Sequence, residues 1–259
     1  MATCQRMTMR RGDVPGALLL LFIAFMSGCI GPSSDESMID LVVDLETTSG
    51  TVVETYLDGE LVSLDAVDVS FDFSQTTSSL DLVKFGLDAM DGSEPMTIDA
   101  SESSTLTHSF VEHGIHNVTL FAIDAAGTQN NQSASIRIDL RIEWSEQGTN
   151  EPMALPFNPT PNNGGTHPVM IEINSTVENP SLIQGISGGG QTVQFSWNIV
   201  DELDDTCQSK NGQAEDGNAD TWSTVHFNTY LLHELRVVLE DGQDALNIQQ
   251  TVLIVYADD

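Results

Sequence analysis

"HSFVEHGIHNVTLFAID", residues 108–124, sets three histidines within nine positions, directly ahead of an alternating apolar run. Such a cluster could ligate a metal, carry catalysis, or frame a strand. Successive side chains of a strand point to opposite faces, so His116, Val118 and Leu120 share one face and Asn117 takes the other. An echo further along the chain decides between the readings. Phe110, His116, Val118, Leu120 and Asp124 recur as Phe227, His233, Leu235, Val237 and Asp241 at a constant offset of 117. Upstream, "FGLDAMDG" from residue 85 aligns with "FSWNIVDE" from residue 195 at an offset of 110. The second copy therefore holds seven extra residues between the two blocks, where the acidic stretch "CQSKNGQAEDGNAD" lies. A duplicated histidine is better explained by packing and hydrogen bonding than by two metal sites.

Working outward, the same period-2 alternation marks "LVVDLE", "VDVSFDF", "LVKFGLDAM" and "SASIRIDLRI" before residue 143. It marks "VMIEIN", "TVQFSWNIV", "WSTVHFN", "HELRVVLED" and "TVLIVY" after residue 168. These are the signatures of half-buried strands. Turn-formers such as "SG", "DG" and "AAG" separate several of them, and no amphipathic helix is evident beyond the N-terminal segment. The stretch 145–168 is rich in proline and glycine and lacks periodicity, which reads as a linker. The expected organisation is all-β: residues 1–28 a signal peptide, 29–40 a polar tether, 41–143 one sandwich, 144–168 a linker, and 169–259 a second sandwich.

"FGLDAMDG" followed by "HSFVEHGIHNVTLFAIDAAG" resembles the PKD repeat, an immunoglobulin-like module of cell-surface proteins. Asp91-Gly92, His108, Phe110, Gly114, Val118, Leu120 and Asp124 take the family's motif places, and "VSFDFS" at 69–74 matches its preceding strand. Leu87 stands where the family usually has Trp. The second copy has Trp197 but reads Asp201-Glu202 in place of Asp-Gly, so it resembles the broader immunoglobulin-like class. The resemblance implies two tandem β-sandwiches and specifies no activity.

The 259 residues carry 8 basic and 39 acidic side chains, a net charge of −31. That balance excludes nucleic acid as a partner, because phosphate contacts need clustered Lys and Arg. At the N-terminus, Arg6, Arg10 and Arg11 precede the apolar run "ALLLLFIAFM", which is too short to span a bilayer of about 20 helical residues. It ends in "MSGC", which resembles the lipobox of prokaryotic lipoproteins, with Cys29 the expected lipidation site. Cleavage there deepens the charge to −33 and removes Cys4. Cys207 is then the one remaining thiol, read as a free thiol, an intermolecular pairing site or, the reading taken, a tolerated residue.

Few residues point to chemistry. Zinc needs three or four converging ligands, and no cysteine or carboxylate at a suitable spacing completes a set around the histidines. "EDGNAD" offers Asp216, Asn218 and Asp220 at alternating positions, as calcium loops begin, making calcium the one expected cofactor. The EF-hand template fails, with Thr221 where glycine is required and Phe227 where glutamate is required. No G-x-S-x-G elbow or phosphate loop is present, so an enzyme is not expected. Asn117, Asn131 and Asn174 head N-x-S/T sequons and are candidate glycosylation sites.

The sequence thus leads to the expectation of a non-catalytic, extracytoplasmic, lipid-anchored protein for binding, adhesion or spacing at a prokaryotic, even archaeal, surface. Its partners would be the membrane, through the anchor, and a surface protein or glycan. An accessory subunit of an exported enzyme or transport system, and a calcium-stabilised envelope protein, are the alternatives.

Overall fold

Both copies of the repeat fold as antiparallel strands in the computed structural model, which describes residues 38–181, 190–242 and 245–257. No helix occurs among the described residues. The first copy contributes β1 (Ile39–Asp40), β2 (Asp44–Leu45), β3 (Ser49–Leu57), β4 (Glu60–Asp65), β5 (Val67–Asp72), β6 (Thr77–Ser78), β7 (Leu82–Asp88), β8 (Met96–Asp99), β9 (Thr105–Phe110) and β10 (Gly114–Asp124). Then come β11 (Gln129–Thr149) and β12 (Leu155–Phe157). The second copy adds β13 (Met170–Asn179), β14 (Val193–Asp201), β15 (Thr206–Ala214), β16 (Asn218–His226), β17 (His233–Asp241) and β18 (Leu246–Val255).

The repeat is visible in the strand register. Leu120 of β10 lies opposite Leu87 of β7, and Ala122 opposite Phe85. The aligned residues pair identically in the second copy, with Val237 opposite Trp197 and Leu239 opposite Phe195. Leu87, Leu120, Trp197 and Val237 are all buried, so each copy builds its core around the same cross-strand pair. The motif residues serve this frame. Gly114 opens β10 at φ +145°, a conformation side-chain-bearing residues rarely adopt. Buried Asp124 closes the strand by accepting the backbone N–H groups of Ala126 and Thr128.

Each copy places two sheets against one another. In the second, β12-β17-β14-β15 faces β16-β13-β18, and the indole Nε1 of buried Trp197 on β14 donates across to Ser175 Oγ on β13 at 2.8 Å. In the first, β2-β5-β9 lies beside the sheet holding β10, β7 and β8, where the rings of Phe73 and Phe85 stack at 4.8 Å.

The expected linker differs most from the structure. β11 is 21 residues long, pairing with β10 through residues 129–138 and with β18 from Leu140 to Thr149. It also pairs in parallel with β3, from Arg137↔Ser49 to Ser145↔Leu57. One nine-stranded sheet therefore runs through both copies, and Ser37–Asp259 forms one compact unit. Residues 144–149 are strand, and Leu155 and Phe157 are buried in β12 against β17. Buried Glu146 hides this from a periodicity reading, since it puts a carboxylate on the inward phase. Its oxygens accept from Trp144 Nε1 and, through both oxygens, from the Met153 N–H, so the carboxylate is held by two donors.

The tether ends before Ile39, which is buried in β1 and paired with Ser78. The acidic insertion is mostly strand: β15 lies at the edge of one sheet and β16 at the edge of the other. Lys210 Nζ and Gln208 Nε2 bridge that edge by donating to the carbonyls of Thr221 and Val225. The signal peptide and Cys29 lie outside the described residues.

Candidate functional sites

The opening histidines go three separate ways. His108 Nδ1 sits 3.3 Å from Met96 Sδ, His113 Nδ1 shares a 2.8 Å hydrogen bond with buried Tyr256, and His116 Nε2 donates to the Glu112 carbonyl at 3.0 Å. The Phe110 ring packs edge-on against His108 at 4.7 Å and tilted against His116 at 5.0 Å. Burial lowers the pKa of His108 and of His113, as expected for imidazoles held in the frame. His108 and His116 instead line a groove of about 780 Å³ with Met90, Asp91, Asn117 and Asn163.

At the equivalent corner of the second copy a different set converges. Cys207 is the second residue of β15, His226 ends β16 and His233 begins β17. One ligand atom from each lies within 4.8 Å of the others, the one such group of three Cys, His, Asp or Glu side chains among the described residues. His226 and His233 are 5% and 0% exposed, with their rings 4.7 Å apart and nearly perpendicular. His233 Nε2 donates to the Asn228 carbonyl at 2.9 Å, which leaves the lone pair on Nδ1. That Nδ1, and Nε2 of His226, are buried without a hydrogen-bond partner. Such an orphaned polar atom costs about 1–3 kcal/mol.

The surroundings of this corner are acidic. Asp201 Oδ1 accepts the N–H groups of Leu203 and Asp205, while Oδ2 faces Cys207 Sγ at 4.0 Å. Burial lowers the pKa of His226 and His233; burial and then the Asp201 and Asp205 charges raise that of the Cys207 thiol. The sequence reading missed this set because its members sit 19 and 7 residues apart, on three strands, in no ligand motif. The buried inward phase of His233, noticed from the repeat, was the one available signal.

The calcium candidates take different environments. Asp216 is buried in the turn before β16, Asn218 is exposed, and Asp220 accepts from the N–H groups of Gln213 and Thr221 with Lys210 Nζ 3.9 Å away. The three sequon asparagines are exposed on strands, and Asn174 Nδ2 donates to Ser223 Oγ. Near the second corner, the loop after β16 exposes Phe227 (71%) and Tyr230 (66%), the latter with its ring 4.3 Å from that of His167.

Neither family models nor curated proteins match the chain. Solved structures give distant likenesses. One, of carbohydrate-binding modules from the β-sandwich superfamily, is 10% identical over 82% of this chain and 95% of that chain, with a TM-score of 0.30. A Bacteroides uniformis β-glucuronidase 2 is 9% identical over 83% of this chain and 30% of its own, with a TM-score of 0.27. A Clostridium perfringens ZmpB structure holding CBM51-2 with GlcNAc is 10% identical over 84% and 49%, with a TM-score of 0.25. Likeness at this level bears on neither the site nor the function of this chain.

Proposed function

We propose that this protein is a non-catalytic, lipid-anchored, extracytoplasmic element for binding, adhesion or spacing, built of two immunoglobulin-like modules. The observation that carries the reading is β11, whose 21 residues at about 3.3 Å each make a reach of about 70 Å inside one sheet. A body stiffened in this way can hold one end away from a membrane. The "MSGC" motif supports Cys29 as the anchor, and exposed Phe227 and Tyr230 offer a contact surface for a surface protein or glycan. Asn117, Asn131 and Asn174 are proposed glycan acceptors, and a glycan on Asn117 would occupy the groove it lines.

Two measurements test this. Cys29→Ala should release the protein from the membrane fraction and abolish lipid labelling; unchanged membrane association defeats the anchor. In pull-downs from native membranes, Phe227→Ala with Tyr230→Ala should lose the co-purifying partner while changing stability by less than about 0.5 kcal/mol. A fixed stoichiometric enzyme or transporter that survives this double substitution would favour the accessory-subunit reading.

A further inference from the structure

We propose that Cys207, His226 and His233 form a structural zinc site, completed by a carboxylate oxygen of Asp201. The donor set is one thiolate, two imidazoles and one carboxylate, which suits a four-coordinate transition metal and not calcium, whose sites take six to eight oxygens. Two of the donors are already committed by burial: Nε2 of His226 and Nδ1 of His233 have no partner in the protein. The Asn228 carbonyl fixes the His233 tautomer with Nδ1 free, the outer-shell support that metal-bound histidines use. Gln208 Nε2 lies 3.3 Å from His226 Nδ1 and donates to the Val225 carbonyl; metal binding through His226 Nε2 would turn the Gln208 oxygen to a protonated Nδ1 at the cost of that carbonyl bond. Tetrahedral zinc holds its ligand atoms about 3.3–3.8 Å apart, so the Cys207, His226 and His233 atoms close by about 1 Å. Exposed Cys207 can supply that movement by rotating its side chain. Asp201 Oδ2, 4.0 Å from Cys207 Sγ, lies outside that group of three and has further to move.

The site would tie β15 and β17 of one sheet to β16 of the other. It would serve as a cross-sheet staple where Cys207, the cysteine among the described residues, is a free thiol. Binding forms the Zn–S bond as the Cys207 thiol gives its proton to solvent; no electron is transferred.

The test uses the full-length protein in detergent, stripped with chelator and titrated with Co²⁺ and then Zn²⁺. One Co²⁺ per chain should bind with a thiolate-to-metal charge-transfer band, and Zn²⁺ should bleach it. Zinc should also raise the melting temperature by several degrees and protect Cys207 from alkylation. His226→Gln and His233→Gln should each lose the band, but His233 is fully buried and its loss can unfold the chain. Cys207→Ser and Asp201→Asn, at more exposed positions, therefore decide the matter. Cys207→Ser should abolish the band and weaken zinc at least tenfold; Asp201→Asn should keep the band and weaken zinc about tenfold. Absence of a charge-transfer band at one equivalent, or zinc affinity unchanged in Cys207→Ser, overturns the site. Unchanged affinity in Asp201→Asn removes the fourth ligand and with it the proposed set.

Discussion

The two copies share a corner and furnish it differently. In the first, the final residue of β9 is Phe110, 3% exposed, packed on His116; in the second, the final residue of β16 is His226, packed on His233. His116 and His233 are equivalent by the sequence repeat, yet Phe227, aligned with Phe110, is 71% exposed. The strand ends one residue out of step, and a one-residue slip turns every side chain to the other face. An apolar ring satisfies such a corner by packing alone. An imidazole in its place brings a nitrogen that packing cannot satisfy, so the same frame becomes capable of coordination.

The comparison can be broken most forcefully in the cores. Trp197→Ala should cost about 3–5 kcal/mol and its counterpart Leu87→Ala about 2–5 kcal/mol. Each should shift one cooperative denaturant transition, read by both tryptophan fluorescence and circular dichroism. Two separate transitions, one moved by each substitution, would show that the shared β11 does not couple the copies.

Acid gives an intermediate effect. His226 and His233 hold their protons less well when folded than the ordinary histidine, because burial disfavours the charged form. Below about pH 6.5 the unfolded chain binds protons that the folded chain refuses, so stability falls with pH through that window. The slope is about 1.4 kcal/mol per pH unit for each histidine titrating only in the unfolded chain. Denaturant melts of metal-free protein between pH 7 and pH 5 should show the loss, and a flat profile would mean that these imidazoles are already charged or solvated.

His226→Phe should have the smallest effect on stability, less than about 1.5 kcal/mol in metal-free protein, since it gives the second corner the ring that the first already packs. It should also remove part of the acid slope. A large loss would mean that the two corners are not equivalent in packing.

Much of this was legible beforehand. The offsets of 117 and 110 align Leu120 and Leu87 with Val237 and Trp197, and both couples prove to be cross-strand partners, because a repeat that preserves inward residues preserves their partners. "HELRVVLED" matches β17 in full. The β3–β4 hairpin was not read from the sequence: β4 is exposed throughout, so no buried face marks it. Residues 144–149 were misread because Glu146 occupies an inward position, where its charge imitates a loop. The Cys207 corner escaped because strand ends from different sheets meet in space without any regular spacing along the chain.

The sharing of β11 also governs how the molecule can be divided. β18 has β13 on one side and β11 on the other, so severing the chain before β12 would strip β18 of its second neighbour. A naked edge of alternating Ile, Val and Leu is a template for aggregation. The two copies are thus not interchangeable units: neither can be excised, swapped or shuffled without leaving the other an open seam.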